Sequence, residues 1–490
     1  MKRFFLFDKT SKGEGYVPNN LIFAYASGIA GQNLAYFYIT NWLKYFYINI
    51  LHVDPMKISA VFSASYVWDA VNDPIVGAYI DKRKYKPYRK LRPFLLYTPP
   101  VIGLLSTLMF ANTGLPQGGM IVYLIVIYFL WDLFYSFQDV GLWGMIALSS
   151  PHSEERARVS QWVSIGAGAG AAVVGLFQQV RSMLLGAGMS EMQIFFLCAL
   201  VFGLGGELLS LNAARIPEQV TADESKSENI IQSITVLRHN PKLLLISLAR
   251  FSLGLSPKVQ NAYFFENCTG YTVGKTQITG QTAEFLFGLF GGIPGTGATF
   301  FATKIAAKIG GMKKILIVSQ ITAIAIRTVT FFVGYNTFAK FVIMTLLISL
   351  VNLPGAMMDI AYRSLTTDSI DETEVKTGLR TEGISFSMQN FTTKITNGAT
   401  TLIEGFLLKK LGYDSERKAA GLAQSETFIK WQWPLFCLGP IVGAVLFLII
   451  VSFIKDSDEL RADTERRLKE LRAQRAAANT PEKAESVGVK

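Results

Sequence analysis

Long apolar runs, separated by short polar stretches, dominate the pattern along this chain of 490 residues. Each run extends over roughly 20 residues or more, the length that an α-helix needs to cross a lipid bilayer. Read against the Gly, Pro and charged residues that interrupt them, the runs predict twelve transmembrane helices, at 18–48, 54–80, 93–112, 119–148, 157–183, 192–215, 242–266, 281–306, 313–334, 339–366, 378–410 and 428–455.

The least apolar piece between these helices is 216–241, and it divides the set six and six. This division is typical of transporters that are built from two repeated halves. We therefore predict an all-α membrane protein with four parts. They are an N-terminal six-helix half at 1–215, a cytoplasmic central loop at 216–241, a C-terminal six-helix half at 242–455 and a charged cytoplasmic tail at 456–490.

Composition agrees with a membrane protein and excludes several other classes. Hydrophobic residues make up 50% of the chain and charged residues 17%, against about 25% charge in soluble domains. The net charge of +11 does not indicate nucleic-acid binding, because the basic residues cluster between the apolar runs. Three scattered cysteines (Cys198, Cys268 and Cys437) and three distant histidines predict neither a disulfide framework nor a metal centre. We expect no cofactor.

The distribution of Lys and Arg predicts the orientation in the membrane. The connection "DKRKYKPYRKLR" is densely basic, whereas "NTGLPQGG" carries no positive charge. With an even number of helices, both termini are then expected to face the cytoplasm. The connection "KKLGYDSERKAAG" disagrees, because it is basic and would lie on the outer side. The apolar run near the N-terminus is too short for a signal peptide.

Two carboxylates occur in the middle of the second apolar run, in "YVWDAVNDPIVGAYIDKRK". Asp69 and Asp73 are four residues apart and share one helix face, with Asn72 beside them. Two like charges in an apolar medium require a cation or a shared proton. Carboxylate and amide oxygens, together with the backbone carbonyl that Pro74 leaves without its helical partner, would suit Na⁺, Li⁺ or H⁺. In the alternative interpretation these residues pair with basic neighbours and only join helices.

Other predicted helices carry polar faces as well. The fourth places Ser136, Asp139 and Trp143 on one side. The eleventh, "GLRTEGISFSMQNFTTKITNG", buries Gln389 and Lys394 and has Arg380 and Glu382 nearer its cytoplasmic end. Charged side chains on several helices that cannot face lipid are expected to meet in a shared cavity.

The motif "WDAVNDPIVGAYIDKRK" resembles the helix 2 signature of the glycoside–pentoside–hexuronide:cation symporter family, within the major facilitator superfamily. The segment "DSIDETEVKTGLRTEG" and the following lysine resemble that family's loop before helix 11. The resemblance covers almost the whole chain up to about residue 456. It implies the major facilitator fold, symport of a sugar with a monovalent cation, and a monomeric functional unit.

The resemblance also implies roles for individual residues. The coupling cation would be bound by Asp69, Asn72, Asp73 and Ser136. The sugar would be bound by Asp139 through its hydroxyl groups and by Trp143 through stacking, with Lys394 close to the cation site. Carboxylates do accept hydrogen bonds from hydroxyl groups, and indole rings pack on sugar C–H faces.

Two positions depart from the family pattern. Asn33, with Gln32 beside it, stands where a sugar-binding aspartate is expected, and Ser164 stands where an arginine is expected. In the seventh helix, Arg250 and Lys258 add positive charge. A cationic cavity would suit an anionic sugar, unless Lys258 reaches outward or pairs with Asp359 or Glu266.

The remaining patterns do not indicate an enzyme. "GAGAGAAVVG" has the spacing of a dinucleotide-binding loop, but it follows no strand and is better explained by close helix packing. The paired aspartates also lack the spacing of membrane CDP-alcohol phosphotransferases. A cation-independent sugar facilitator and a lysolipid carrier of the same fold remain as alternatives to the symporter.

Overall fold

The computed structural model describes residues 13–82, 85, 89–219, 240–299, 308, 311–378 and 382–478. Within these residues, helices form twelve spans. Eight are unbroken: span 1 Asn19–Asn49, span 2 Pro55–Lys82, span 3 Arg92–Leu108, span 4 Gln117–Leu148, span 8 Gly280–Thr299, span 9 Met312–Val333, span 10 Phe338–Thr377 and span 11 Glu382–Lys410.

The other four spans are interrupted. Span 5 consists of Ser153–Gly175 and Phe177–Gly186, and span 12 of Glu426–Cys437 and Gly439–Ser452. Span 7 consists of Pro241–Gly254 and Asn261–Cys268. Span 6 runs from Glu191 to Arg215 through a π-helical turn at Ala199–Gly205 and ends in a 3₁₀ turn. A short helix, Ser415–Ala419, and a terminal helix, Asp458–Ala478, complete the helical part.

The connections define two faces of the bundle. The tail face carries the connection between spans 4 and 5 and the helix Asp458–Ala478, which is the predicted tail helix. The hairpin face carries the helix Ser415–Ala419 and an antiparallel hairpin, Tyr271–Val273 with Thr276–Ile278, which the sequence analysis did not predict. Several sequence predictions lie outside the described residues, namely those on 1–12, most of the central loop (220–239), Arg380 and the end of the tail.

The structure corrects two predicted boundaries. Span 7 was expected to be continuous over 242–266, but its helix stops between Gly254 and Asn261, around Pro257. Proline removes a backbone donor and disfavours helix in the residue before it. Span 10 continues to Thr377, eleven residues beyond its predicted end at 366, because no Gly or Pro occurs between that end and Gly378. Gly378 ends the helix with a φ of 73°, a conformation that favours glycine.

Six of the described helices are long and apolar enough to cross a membrane, judged by length and composition. Spans 1, 2 and 11 are not among them, and these spans carry many of the polar side chains described below. Packing between spans relies on small residues. A Cβ atom on Gly166 would lie 2.2 Å from the carbonyl oxygen of Ala26, and one on Gly170 would lie 2.5 Å from that of Ala30. The glycine-rich stretch of span 5 is thus a packing surface, as predicted.

Buried apolar side chains show where the two sets of six spans meet. One cluster at the hairpin face contains side chains from both sets, among them Tyr45 of span 1 and Tyr263 of span 7. Toward the tail face, one cluster is built only from spans 1–6 and their connections, and another only from spans 7–12. The described core is therefore shared at the hairpin face and divided at the tail face.

Candidate substrate and cation site

A cavity of about 700 Å³ lies in the middle of the bundle. Spans 1, 2 and 4 line one wall, and spans 7, 10 and 11 line the other. The first wall presents amide, carboxylate, hydroxyl and indole groups, from Gln32, Asn33, Asp69, Asp73, Asp132, Ser136, Asp139 and Trp143. The second presents the cationic and amide groups of Arg250, Arg363, Gln389, Asn390, Lys394 and Asn397.

The predicted cation-binding residues form one connected group. The Nζ atom of Lys394 lies 2.8 Å from Oδ1 of Asp69 and is also paired with the carboxylate of Asp73. Ser136 donates a hydrogen bond of 3.1 Å to Oδ1 of Asp73 and accepts one of 2.9 Å from the side chain of Asn72. Lys394 also donates to the backbone carbonyl of Asp69 at 3.1 Å. The group therefore joins spans 2, 4 and 11.

Close packing between spans 2 and 11 explains why Lys394 reaches the carboxylates. Gly398 and Gly405 follow Lys394 by four and eleven residues, so the three share one face of the helix. A Cβ atom on Gly405 would lie 2.3 Å from Oγ of Ser59 on span 2, and Gly398 faces Ser63. Only a glycine allows this approach, which brings the helix axes near enough for the ion pairs to form.

The predicted sugar-binding residues of spans 1 and 4 form a second connected group. Oδ1 of Asp139 accepts hydrogen bonds of 3.0 Å from Gln32 and from the indole N–H of Trp143. Asn33 donates to Oε1 of Gln32 at 3.1 Å and to the backbone carbonyl of Ile29 at 2.9 Å. Trp143 is 46% exposed and lines the cavity, so its ring is available to a ligand.

The residues predicted to bind substrate from the opposite wall differ in the contacts that they make. Gln389 lines the cavity and donates to Oγ of Ser247 at 3.2 Å, while its own Oε1 is buried without a hydrogen-bond partner in the described part of the chain. Arg250 lies over the ring of Tyr362, 5.1 Å from its centroid.

The structure does not bring Lys258 to the described lining of the cavity. Lys258 lies in the interruption of span 7 and is not among the described residues that line the cavity. Its charged neighbours include Glu404, which pairs with Lys44. Its suggested partner Glu266 is instead paired with Arg181 and Lys418. Ser164 also points elsewhere, and its hydroxyl donates to the carbonyl of Ser160 in its own helix.

Two charged side chains in the cavity were missed in the sequence analysis. Asp132 precedes Ser136 by four residues and therefore lies on the polar face of span 4 that the sequence already indicated. Arg363 lies on span 10, where no polar face had been identified. The helical spacing could have revealed Asp132, but only the tertiary arrangement places Arg363 in the cavity.

The cavity is closed toward the hairpin face by polar contacts between the two walls. Lys44 of span 1 is paired with Glu404 of span 11, and Gln178 of span 5 donates to Glu284 of span 8 at 2.6 Å. A larger group, here called the seal cluster, consists of Tyr45, Arg181, Glu191, Glu266 and Lys418.

A membrane-embedded cavity between two six-span sets, closed at one face, defines the class of a secondary transporter. A family model described as MFS/sugar transport protein matches residues 24–457. The chain belongs to this family, and the resemblance to the glycoside–pentoside–hexuronide:cation symporters is confirmed. It is a multi-pass membrane transporter of the sugar and glycoside class and not an enzyme.

Several named relatives match most of this chain. The chain is 24% identical to the uncharacterized symporter YjmB of Bacillus subtilis, over 92% of this chain and 93% of that protein. It is 24% identical to a putative sulfoquinovose importer of Escherichia coli, over 89% and 91%. It is 23% identical to a lactose permease of Lactobacillus delbrueckii, over 88% and 68%.

Solved structures share the fold. The crystal structure of the nucleoside transporter NupG matches with a TM-score of 0.57 at 15% identity, over 89% of this chain and 100% of that chain. At this identity the likeness concerns the fold alone.

Proposed function

We propose that this protein is a symporter that couples the transport of a sugar or glycoside to a monovalent cation, Na⁺, Li⁺ or H⁺. The observation that carries the proposal is the position of Lys394 between Asp69 and Asp73 inside the cavity. The ammonium group of Lys394 occupies a position between two carboxylates, and a coupling cation can bind in the same position. The hydroxyl of Ser136 and the amide of Asn72 supply further oxygen ligands of the kind that hard cations prefer.

In this mechanism Lys394 keeps the site neutral when the cation is absent, so that the empty carrier can change conformation. Cation binding to Asp69 and Asp73 releases the ammonium group and holds spans 2 and 4 together through Ser136. The neighbouring group around Asp139 then gains affinity for the sugar. By linkage the sugar raises the affinity for the cation equally, typically by about 1–3 kcal/mol.

We propose that the substrate is an anionic sugar or glycoside. Asp139 and Trp143 on one wall suit hydroxyl groups and a sugar face, while Arg250 and Arg363 lie on the other wall. An arginine pairs with a planar or tetrahedral anion through several N–H donors. Support also comes from the relative named as a putative sulfoquinovose importer, because sulfoquinovose is a sugar that carries a sulfonate.

We further propose that both termini face the cytoplasm, as the Lys and Arg distribution predicts. The tail face is then cytoplasmic. Contacts between the two walls at the hairpin face, together with the divided core at the tail face, correspond to an inward-facing conformation. Transport would require these contacts to break while others form near the tail face.

Uptake into proteoliposomes tests the proposal. A panel of radiolabelled neutral glycosides, uronides and sulfonated sugars is offered with and without inward gradients of Na⁺, Li⁺ and H⁺. We expect one cation to drive accumulation of an anionic member, and Asp73→Asn to reduce this accumulation on the order of 100-fold, as loss of a cation ligand does. Asp463→Asn, a change of the same type on the exposed terminal helix, is the control.

The same panel can reject the proposal in parts. Full gradient-driven uptake by Asp73→Asn would rule out the cation site. Accumulation of neutral glycosides alone, unchanged in Arg363→Gln, would rule out an anionic substrate.

A second function, cation-independent facilitation, is favoured by one observation. Lys394 already pairs with both carboxylates, so a permanent internal cation could make coupling unnecessary. In that case uptake would equilibrate the substrate without accumulation, whichever gradient is imposed.

A further inference from the structure

Among the described carboxylates of the cavity, Asp132 is distinguished by an oxygen that is both fully buried and without a hydrogen-bond donor. Its side chain is only 5% exposed, and Oδ2 is buried without a hydrogen-bond partner among the described residues. By contrast, Asp69 and Asp73 contact Lys394, and Asp139 accepts two hydrogen bonds. An ionised carboxylate in such a place is costly unless a cation or a donor reaches it.

The location of Asp132 connects it to the candidate cation site. It lies one helical turn from Ser136 on the cavity side of span 4 and faces the polar stripe of span 2. The groups around it are the carboxylates of Asp69 and Asp73, the amide of Asn72 and the ammonium of Lys394. Ser136 itself is bonded to Asn72 and Asp73, so the hydroxyl is not available to Asp132.

The balance of charge around this position is incomplete. Asp69, Asp73 and Asp132 face a single ammonium group, that of Lys394, which contacts the first two. An additional monovalent cation would meet Oδ2 of Asp132 without displacing the lysine. The carboxylates of Asp69 and Asp73 lie close by, so that a hard cation would find more than one oxygen ligand.

We propose that Asp132 is a third carboxylate ligand of the coupling cation. This inference rests on the proposed cation-coupled function. It adds a charged ligand from span 4, which otherwise supplies only the hydroxyl of Ser136, to the carboxylates of span 2. The bound cation then bridges the two spans through carboxylates on both of them.

Direct cation binding by the purified full-length protein tests this assignment. The melting temperature is measured at increasing concentrations of NaCl or LiCl in the absence of sugar. Choline chloride is used to keep the ionic strength constant. We expect Asp132→Asn to raise the half-saturating cation concentration by about tenfold or more, as removal of a charged ligand does. Asp132→Glu, which keeps the charge, should restore most of the response.

Glu207→Gln is the matched control, because Glu207 is a fully buried carboxylate on span 6 that accepts from Gln138 behind the cavity-facing side of span 4. It should leave the half-saturating concentration within about twofold. If Asp132→Asn fails to fold, Asp132→Ser is measured in its place, and ²²Na⁺ binding to the detergent-solubilised protein replaces the thermal readout.

The outcomes separate this inference from the proposed function. If the wild type responds to Na⁺ or Li⁺ and Asp132→Asn responds equally, only the role of Asp132 is overturned. If the variant loses affinity for the sugar at saturating cation but keeps its cation response, Asp132 is a sugar-hydroxyl acceptor and the inference is again overturned. A wild type that responds to neither salt overturns the inference together with Na⁺ or Li⁺ coupling.

Discussion

Two groups of charged side chains, the seal cluster and the central carboxylates of the cavity, differ in how completely their charges are matched. In the seal cluster, Arg181 lies 2.6 Å from Glu266 and 2.5 Å from Glu191, and Lys418 is paired with Glu266. Two cations face two carboxylates, and the hydroxyl of Tyr45 donates to Glu266 at 2.6 Å. In the cavity, Asp69, Asp73, Asp132 and Asp139 share one lysine.

This difference separates a contact that holds a conformation from a site that is built to receive a ligand. The seal cluster connects spans 1, 5 and 6 to span 7 and to the helix Ser415–Ala419, and Glu266 is only 4% exposed. Its groups satisfy one another, so nothing further is needed while the hairpin face is closed. In the cavity, Asp69, Asp73 and Asp132 outnumber the one ammonium group close to them, so a cation can bind among them.

The largest effect should come from breaking the seal cluster. Glu266→Gln leaves Lys418 without its counter-charge, and removal of one partner from a buried ion pair costs about 3–5 kcal/mol. The lost free energy destabilises the conformation that is closed at the hairpin face, so the conformation that is open at this face gains population. Thr40 lies on span 1 and lines the cavity. We expect Thr40→Cys, in a protein without its three native cysteines, to react about tenfold faster or more with an impermeant maleimide added at the hairpin face.

Glu416→Gln is the control for this variant, since Glu416 lies in the same short helix as Lys418 but outside the seal cluster. Equal labelling rates in the wild type, Glu266→Gln and Glu416→Gln would show that the cluster does not hold the hairpin face closed.

An intermediate effect should come from removing the lysine of the cavity. Lys394→Gln leaves Asp69 and Asp73 without an ammonium group, and we expect a loss of about 1–3 kcal/mol. The loss is smaller than in the seal cluster because the two carboxylates are 25% and 43% exposed. Added Na⁺ or Li⁺ should replace the missing charge, so the melting temperature should recover in NaCl or LiCl but not in choline chloride.

Lys410→Gln, an exposed lysine near the end of the same span, should show no such dependence on the salt. Equal melting temperatures of Lys394→Gln in all three salts would argue against exchange between Lys394 and a metal cation.

The smallest effect should come from an exposed ion pair at the hairpin face. Lys409 lies 3.4 Å from Asp54 and is 62% exposed. Pairs of this kind contribute about 0–1 kcal/mol. Lys409→Gln should therefore leave both the melting temperature and the labelling of Thr40→Cys close to the wild-type values. A change as large as that of Glu266→Gln would mean that burial is not what distinguishes the seal cluster.

Much of the candidate site could be read from helical spacing alone. Asp69, Asn72 and Asp73 lie on one stripe of span 2, and Ser136, Asp139 and Trp143 on one stripe of span 4, and the structure brings both stripes to the cavity. The same spacing could have revealed Asp132, which precedes Ser136 by four residues and was missed. Arg363 could not be found in this way, because the orientation of span 10 depends on its packing against spans 8 and 9.

The basic connection that disagreed with the Lys and Arg rule also required the tertiary structure. Of its four positive charges, Lys418 is buried against Glu266 and Lys409 is paired with Asp54. The sequence contains all of these residues, but their separations along the chain hide the pairing.

The sequence by itself determined the twelve apolar helices, the family and the polar stripes on spans 2, 4 and 11, because these depend on local period and composition. Only the tertiary structure decided that Lys394 pairs with both aspartates, that Lys258 is not part of the described lining of the cavity, and that the hairpin face is closed. These features depend on contacts between residues far apart in the chain, such as Lys394 and Asp69. Their geometry follows from how closely glycine and serine allow neighbouring helices to approach.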